Sequence, residues 1–195
     1  MSVFVRHPVD NPSISQRFGV MNGREFQGHV GVDFRPRVAG VPGDPIYAPA
    51  DGFVVWASGS TFAANNPWEQ LPNNGNNGNS VILQHPAPNQ AVQSMYCHLS
   101  RIAVQPGQFV RAGDVIGYMG WTGYCIPASP AGTHLHWEVF IDYGNGHYPP
   151  GTFYGRVNPL DYFTTATVVP TGAGPQGSGS TSRELLIPGV PGLYK

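Results

Sequence analysis

The chain has 195 residues, enough for one domain with a substantial core and too few for two of ordinary size. Charged residues make up only 11% and the formal net charge is −1, which excludes the basic footprint of a nucleic-acid binder or a polybasic membrane binder. A hydrophobic share of 41% with 12% aromatics excludes a disordered chain, so Gly 26 and Pro 20 must punctuate short packed elements, and the expected fold class is all-β.

In chain order the candidate strands are Ile14 to Phe18, His29 to Phe34, Pro45 to Ala48, Gly52 to Ala57, Ser80 to His85, Ala91 to His98, Phe109 to Val110, Val115 to Met119 and His134 to Ile141. Each is a short β-branched or aromatic run bounded by Pro, Gly, Asn or Asp, and none carries a helical period. Three irregular stretches separate them. The first starts near Ser58 and runs through the asparagine-rich segment Asn65 to Asn79, whose side chains compete with regular backbone pairing. The second, Tyr124 to Gly132, contains Pro127 and Pro130; the third, Tyr143 to Arg156, contains Tyr148, Phe153 and Tyr154. Loops of this kind are expected to wall a groove.

After Phe163 the character changes. Thr164 to Ser182 is uncharged and almost wholly Thr, Ala, Val, Pro, Gly and Ser, whereas Arg183 to Lys195 regains Leu185, Leu186, Ile187, Val190, Leu193 and Tyr194. Residues 1–163 read as one domain and 164–195 as an arm, whose apolar end either docks elsewhere or stays unstructured. No apolar run reaches the roughly 18 residues of a spanning helix, and Met1 to Arg6 lacks the charged start and long apolar stretch of a signal peptide. The expectation is a chain made in the cytoplasm, without membrane insertion. Cys97 and Cys125 show no CxxC spacing, which indicates neither a zinc knuckle nor a disulfide framework.

The chemical signal lies in two segments. On a strand, HVGVDF projects His29, Gly31 and Asp33 from one face and Val30 and Val32 from the other. GTHLHWEVF repeats the segregation, with His134, His136 and Glu138 opposite Leu135, Trp137 and Val139. Zinc takes imidazole nitrogen and carboxylate oxygen, and a catalytic site uses three protein ligands with a fourth position open. His29, Asp33 and one of His134 and His136 supply that set. With a single anionic ligand such a site keeps a net positive charge, able to polarise a carbonyl and lower the pKa of a water.

HVGVDF, MYCHLS at 95–100 and GTHLHWEVF resemble, in order and spacing, the HxxxD, Y-x-H-L and H-L-H signatures of the lysostaphin-like (LytM-type) zinc metallopeptidases. QRFG at 16–19, APADGFVV at 48–55, SVILQH at 80–85 and QPGQFVRAGDVIG at 105–117 extend the likeness over roughly Asn11 to Phe163. The resemblance implies an open antiparallel sheet with a groove between long loops, and hydrolysis of peptide bonds in bacterial peptidoglycan. It implies one zinc ion held by His29, Asp33 and His136, with His98 and His134 as catalytic histidines. The residue pattern alone does not choose between His134 and His136 as ligand. Nor does it say which of His98 and His134 is the base.

Other residues carry quieter expectations. His85 reads as structural; His7 and His147 as surface residues; Cys97 as a small buried hydrophobe alternating away from the site face; and Tyr96 and Tyr118 as core tyrosines. Glu138 faces the site by period, either orienting a ligand histidine or simply solvated. Glycine-bridge cutters of the resembled family carry a tyrosine shortly before the first ligand histidine; Val20 to Gly28 contains none, which counts against a polyglycine substrate. Two readings from other classes are a structural component of a phage tail or virion and a phosphocarrier. A carboxylate facing the histidine would repel a phosphoryl group, and a scaffold relieved of catalysis would tolerate lost ligands, so the intact constellation favours chemistry. A phage origin, with virion proteins as partners of the arm, would reconcile an extracytoplasmic substrate with the missing export signal.

Overall fold

The structure is a computed structural model that describes residues 3–21, 28–59, 77–86, 91–142, 152 and 155–163. The described residues form eleven strands: β1 (Ile14–Gln16), β2 (Val32–Phe34), β3 (Pro45–Tyr47), β4 (Gly52–Gly59), β5 (Asn79–His85), β6 (Ala91–Leu99), β7 (Arg101–Ile102), β8 (Phe109–Val110), β9 (Val115–Tyr118), β10 (Leu135–Asp142) and β11 (Arg156–Val157). The described residues include no α-helix, only single 3₁₀ turns at Pro130–Gly132 and Pro159–Tyr162. The all-β expectation is met. Of the nine expected strands, His29 to Phe34 shortens to Val32–Phe34; β7 and β11, two residues each, are too short to show a period.

The main sheet is antiparallel, in the order β1-β2-β10-β6-β5-β4-β8, with β11 pairing β10; β3-β9-β7 form a second, three-stranded sheet. Antiparallel neighbours turn sequence alternation into two faces. From β10, Leu135, Trp137, Val139 and Ile141 enter the large core with Val32, Phe34, Val81, Leu83, Val92 and Tyr96. The other face of β10 carries His136, Glu138 and Phe140, and there Phe140 packs with Ile82, Met95 and Cys97 in a smaller apolar cluster edged by Trp56. That is why β5 reads as a continuous apolar run in Val81, Ile82 and Leu83: both its faces are covered.

Trp137 is fully buried beside Phe4, Phe34 and Phe163, with ring centroids at 5.2, 6.1 and 6.1 Å. The amides of Val3 and Phe4 donate to the Tyr162 carbonyl, and Phe4 bridges Phe163, so both ends of the described chain close over the core. His7 is half-buried, its ring centroid 4.3 Å from that of Phe163, and is a packing residue rather than the surface histidine expected. His147 lies outside the described residues, as do most of the first and third expected groove walls and all of 164–195. The second wall, Tyr124 to Gly132, is described, with Tyr124 and Ile126 exposed.

Candidate metal centre

Three neighbouring strands, β2, β10 and β6, carry the site. His136 pairs with Asp33 across β10 and β2 and with Cys97 across β10 and β6. Directly opposed residues share a face, so this register places His136 beside Asp33. It also corrects the expectation for Cys97, which is fully buried as a small hydrophobe but on the His136 face. The reason is its neighbour: strict alternation would send His98 to the opposite side, but His98 has φ 63°, and this left-handed residue breaks the period. Among side-chain-bearing residues histidine is one of the more tolerant of that region, which still costs on the order of 1–3 kcal/mol.

His29 precedes β2, in a bend that ends at Gly31. A Cβ at Gly31 would lie 2.6 Å from the Trp137 carbonyl oxygen and 2.8 Å from Cε1 of His136, so the chain passes the His136 ring only because the residue is glycine. His29 Nε2, Asp33 Oδ1 and His136 Nδ1 then form a triangle with edges of 3.1, 2.8 and 3.0 Å. Ligand atoms around tetrahedral zinc, bonded at about 2.0–2.1 Å, stand about 3.3 Å apart. The outward nitrogens fix the tautomers. His29 Nδ1 lies 3.2 Å from the Arg17 carbonyl, an acceptor only, so it carries the proton and Nε2 keeps its lone pair. His136 Nε2 donates to Glu138 Oε1 at 2.9 Å, turning Nδ1 inward. Two imidazole nitrogens and a carboxylate oxygen thus converge on one point, and this donor set fits a transition metal, which would displace the proton that His136 Nδ1 holds toward Asp33 in its absence.

Behind His136 lies a second layer. Arg156 Nε donates to Glu138 Oε2 at 2.6 Å, and both residues are buried. Burial opposes the charge on Glu138, but Arg156 and the His136 hydrogen bond outweigh it and hold the carboxyl below its usual range. Burial likewise opposes a charge on His136, yet Asp33 and Glu138 push its pKa up to about 10. Asp33, also buried, is held well below the carboxylate range by His136 and His29, whose ring nitrogens lie 2.8 and 3.1 Å from its Oδ1. Sequence periodicity placed Glu138 on this face; Arg156, in a two-residue strand at the end of the third irregular stretch, gave no signal.

His98 and His134 face each other, ring centroids 4.6 Å apart, with His98 6.0 Å from His136. His98 Nδ1 donates to the Thr122 carbonyl at 2.8 Å and His134 Nδ1 to the Gly132 carbonyl at 2.7 Å, so both rings present an Nε2 lone pair. Burial, then the neighbouring His134 and His136, push the His98 pKa down to about 3. A Cβ at Gly120 would strike the Ser100 amide nitrogen, so the bridge between Gly120 and His134 that seats the second histidine needs glycine there.

Outside the site, His85 Nδ1 donates to the Asp51 carbonyl at 2.9 Å and Nε2 accepts from Ser94 at 2.7 Å. With the Ser94 proton spent, the Tyr96 hydroxyl donates to Ser94 Oγ at 2.7 Å, so Tyr96 and His85 are core residues as expected. Tyr118 lies under the Arg101 guanidinium, 4.1 Å from its ring centroid. No helix among the described residues is long and apolar enough to cross a membrane.

Comparison with known proteins agrees with this architecture. The chain is 32% identical over 143 residues to the peptidoglycan DD-endopeptidase ShyA of Vibrio cholerae serotype O1, covering 71% of this chain and 27% of that protein. The chain therefore spans only about a quarter of the length of the curated relatives it matches first. A zinc-containing peptidase from Vibrio cholerae superposes with a TM-score of 0.53 at 26% identity, covering 75% of this chain and 41% of that one. The catalytic domain of lysostaphin from Staphylococcus simulans shares the fold, with a TM-score of 0.54 at 24% identity over 78% of this chain and 92% of that domain. Residues 27–148, from just before His29 to beyond β10, match the model of peptidase family M23, and the chain belongs to that family.

Proposed function

We propose that the chain is a zinc-dependent endopeptidase that hydrolyses peptide bonds in bacterial peptidoglycan, with His29, Asp33 and His136 holding one metal ion and His98 and His134 as catalytic residues. The observation that carries this reading is the convergence of three ligand atoms 2.8–3.1 Å apart beside two histidines with free Nε2 lone pairs. The peptidoglycan substrate is supported by the likeness to ShyA, a peptidoglycan DD-endopeptidase.

When bound, the metal supplies Lewis acidity toward water and the scissile carbonyl. The protein does the rest. Glu138, backed by Arg156, keeps the His136 ring turned so that Nδ1 faces inward. His98 and His134 are each held by a backbone carbonyl at Nδ1, so each Nε2 is ready to accept the proton of the attacking water. Burial keeps His98 neutral, and hence an acceptor, at neutral pH. The histidine that has taken this proton, now carrying an Nε2–H, steadies the tetrahedral oxyanion and then returns the proton to the leaving amine.

Action at the cell wall, outside the membrane, follows from this substrate. From the composition of 164–195 we further propose that residues 1–163 are the catalytic domain and that the arm anchors it to another protein, such as a phage virion component. The test of the function is digestion of purified peptidoglycans of different cross-bridge chemistry, with mass spectrometry of the fragments and an EDTA control. New amino termini that vanish with EDTA, and with Asp33→Ala as bound zinc is lost, are expected. Intact peptidoglycan, or full zinc retention by Asp33→Ala, would overturn the assignment.

A further inference from the structure

His98 and His134 belong to a second potential ligand set, distinct from that of His29, Asp33 and His136. One ligand atom each from His98, His134 and Cys125 lies within 4.8 Å of the other two. Cys125 comes from the second groove wall and is buried, with its thiol 3.6 Å from the Thr122 carbonyl, the same oxygen that receives the His98 Nδ1 proton. One carbonyl thus orients both side chains. The Gly132 carbonyl orients the third, at His134 Nδ1. Two imidazole lone pairs and a sulfur on neighbouring segments are a donor set that soft and borderline divalent metals select.

We propose that His98, His134 and Cys125 form a second site for zinc-like divalent cations, filled after the first and inhibitory, a role that rests on the catalytic function proposed for the two histidines. Around tetrahedral zinc a nitrogen and a thiolate sulfur stand about 3.6 Å apart, so bringing the thiol onto the metal calls for a contraction of no more than about 1.2 Å, within reach of a Cys125 rotamer change. The first triangle is already at coordination spacing, which sets the order of filling. Burial, and secondarily Asp33, push the Cys125 thiol up to about 12, so without metal it stays protonated and does not act as a nucleophile. On binding, the Sγ–H bond breaks, an Sγ–metal bond forms and one proton leaves to solvent, with no change of oxidation state. The Nε2 lone pairs of His98 and His134 then serve the metal and are no longer available for proton transfer.

Cobalt(II) distinguishes the two sites, because only the second contains sulfur. Titrated into the metal-free full-length protein, the first equivalent is expected to give visible d–d bands without thiolate-to-cobalt charge transfer. The second is expected to bring that near-ultraviolet charge-transfer absorption. Cys125→Ser and Cys125→Ala keep the first equivalent, lose the charge-transfer band and raise the zinc concentration that inhibits by about tenfold or more. Asp33→Ala keeps the band and loses the first equivalent. Absence of the charge-transfer band, or equal zinc inhibition in wild type and Cys125→Ser, overturns the second site and leaves the peptidase reading untouched. A band present in a protein that, loaded with one equivalent, cleaves no peptidoglycan sinks the peptidase reading and with it the inhibitory role, while the metal site stands.

Discussion

Replacing Glu138 by Gln tests how the site is held together. Glu138 sits between two donors, His136 Nε2–H at 2.9 Å and Arg156 Nε–H at 2.6 Å, and is 1% exposed. A glutamine has one acceptor oxygen to offer. If that oxygen serves His136, the amide NH₂ is turned toward the guanidinium, donor against donor; if it serves Arg156, the His136 ring loses the partner that keeps Nδ1 inward. The carboxylate charge goes in either case. Loss of such an orienting carboxylate typically weakens metal binding about 10- to 100-fold, or roughly 1.4–2.7 kcal/mol. Breaking a buried ion pair from one side costs about 3–5 kcal/mol of folding stability, against a total of about 5–15 kcal/mol. Zinc affinity measured by chelator competition should fall by that factor, and the urea midpoint should drop. The double variant Glu138→Gln with Arg156→Gln should recover part of the stability but not the affinity. A single variant that binds zinc within twofold of wild type, with an unchanged midpoint, would refute the argument and leave Glu138 outside the working site.

His98→Ala and His134→Ala should retain zinc and fold while losing about 10²- to 10⁴-fold in hydrolysis, measured as the release of new amino termini; wild-type rates in either variant would remove that residue from the chemistry. His85 has its pKa lowered to about 4 by burial, so the unfolded chain binds the extra proton first as pH falls. The stability it contributes is complete above about pH 6.5 and is lost on the way down to pH 4, a total of about 3 kcal/mol. Urea unfolding at pH 7 and pH 4.5 should show a smaller drop in His85→Asn than in wild type, and identical drops would contradict the assignment. Truncation after Phe163 should leave thermal unfolding and cleavage of soluble substrate at full-length values, since Phe163 itself closes the core against Phe4 and Trp137. Collapse of either on truncation would place 164–195 in the domain.

Much of this molecule is legible in its sequence because β-strands alternate. The period of two in GTHLHWEVF sorts Leu135, Trp137 and Val139 from His136 and Glu138 before any strand is paired, and β10 keeps that sorting. The glycine- and proline-rich composition favours turns and strands over long helices, and no α-helix occurs among the described residues. Alternation is local, however, and ligand identity is not. His134 and His136 are equivalent by period; what separates them is the register that sets His136 against Asp33 while His134 falls just outside the strand, bridged to Gly120. His98 lies on the site face against its period because one residue adopts φ 63°, and Cys97 stays on that face for the same reason. Arg156 and Cys125 arrive from segments far from the motifs in sequence, one behind the His136 ring and the other beside the His98 and His134 pair. Strand pairing and loop closure bring such residues together through contacts across the chain. A sequence pattern can show which groups are able to bind metal or move protons, but only the fold decides which lone pairs meet.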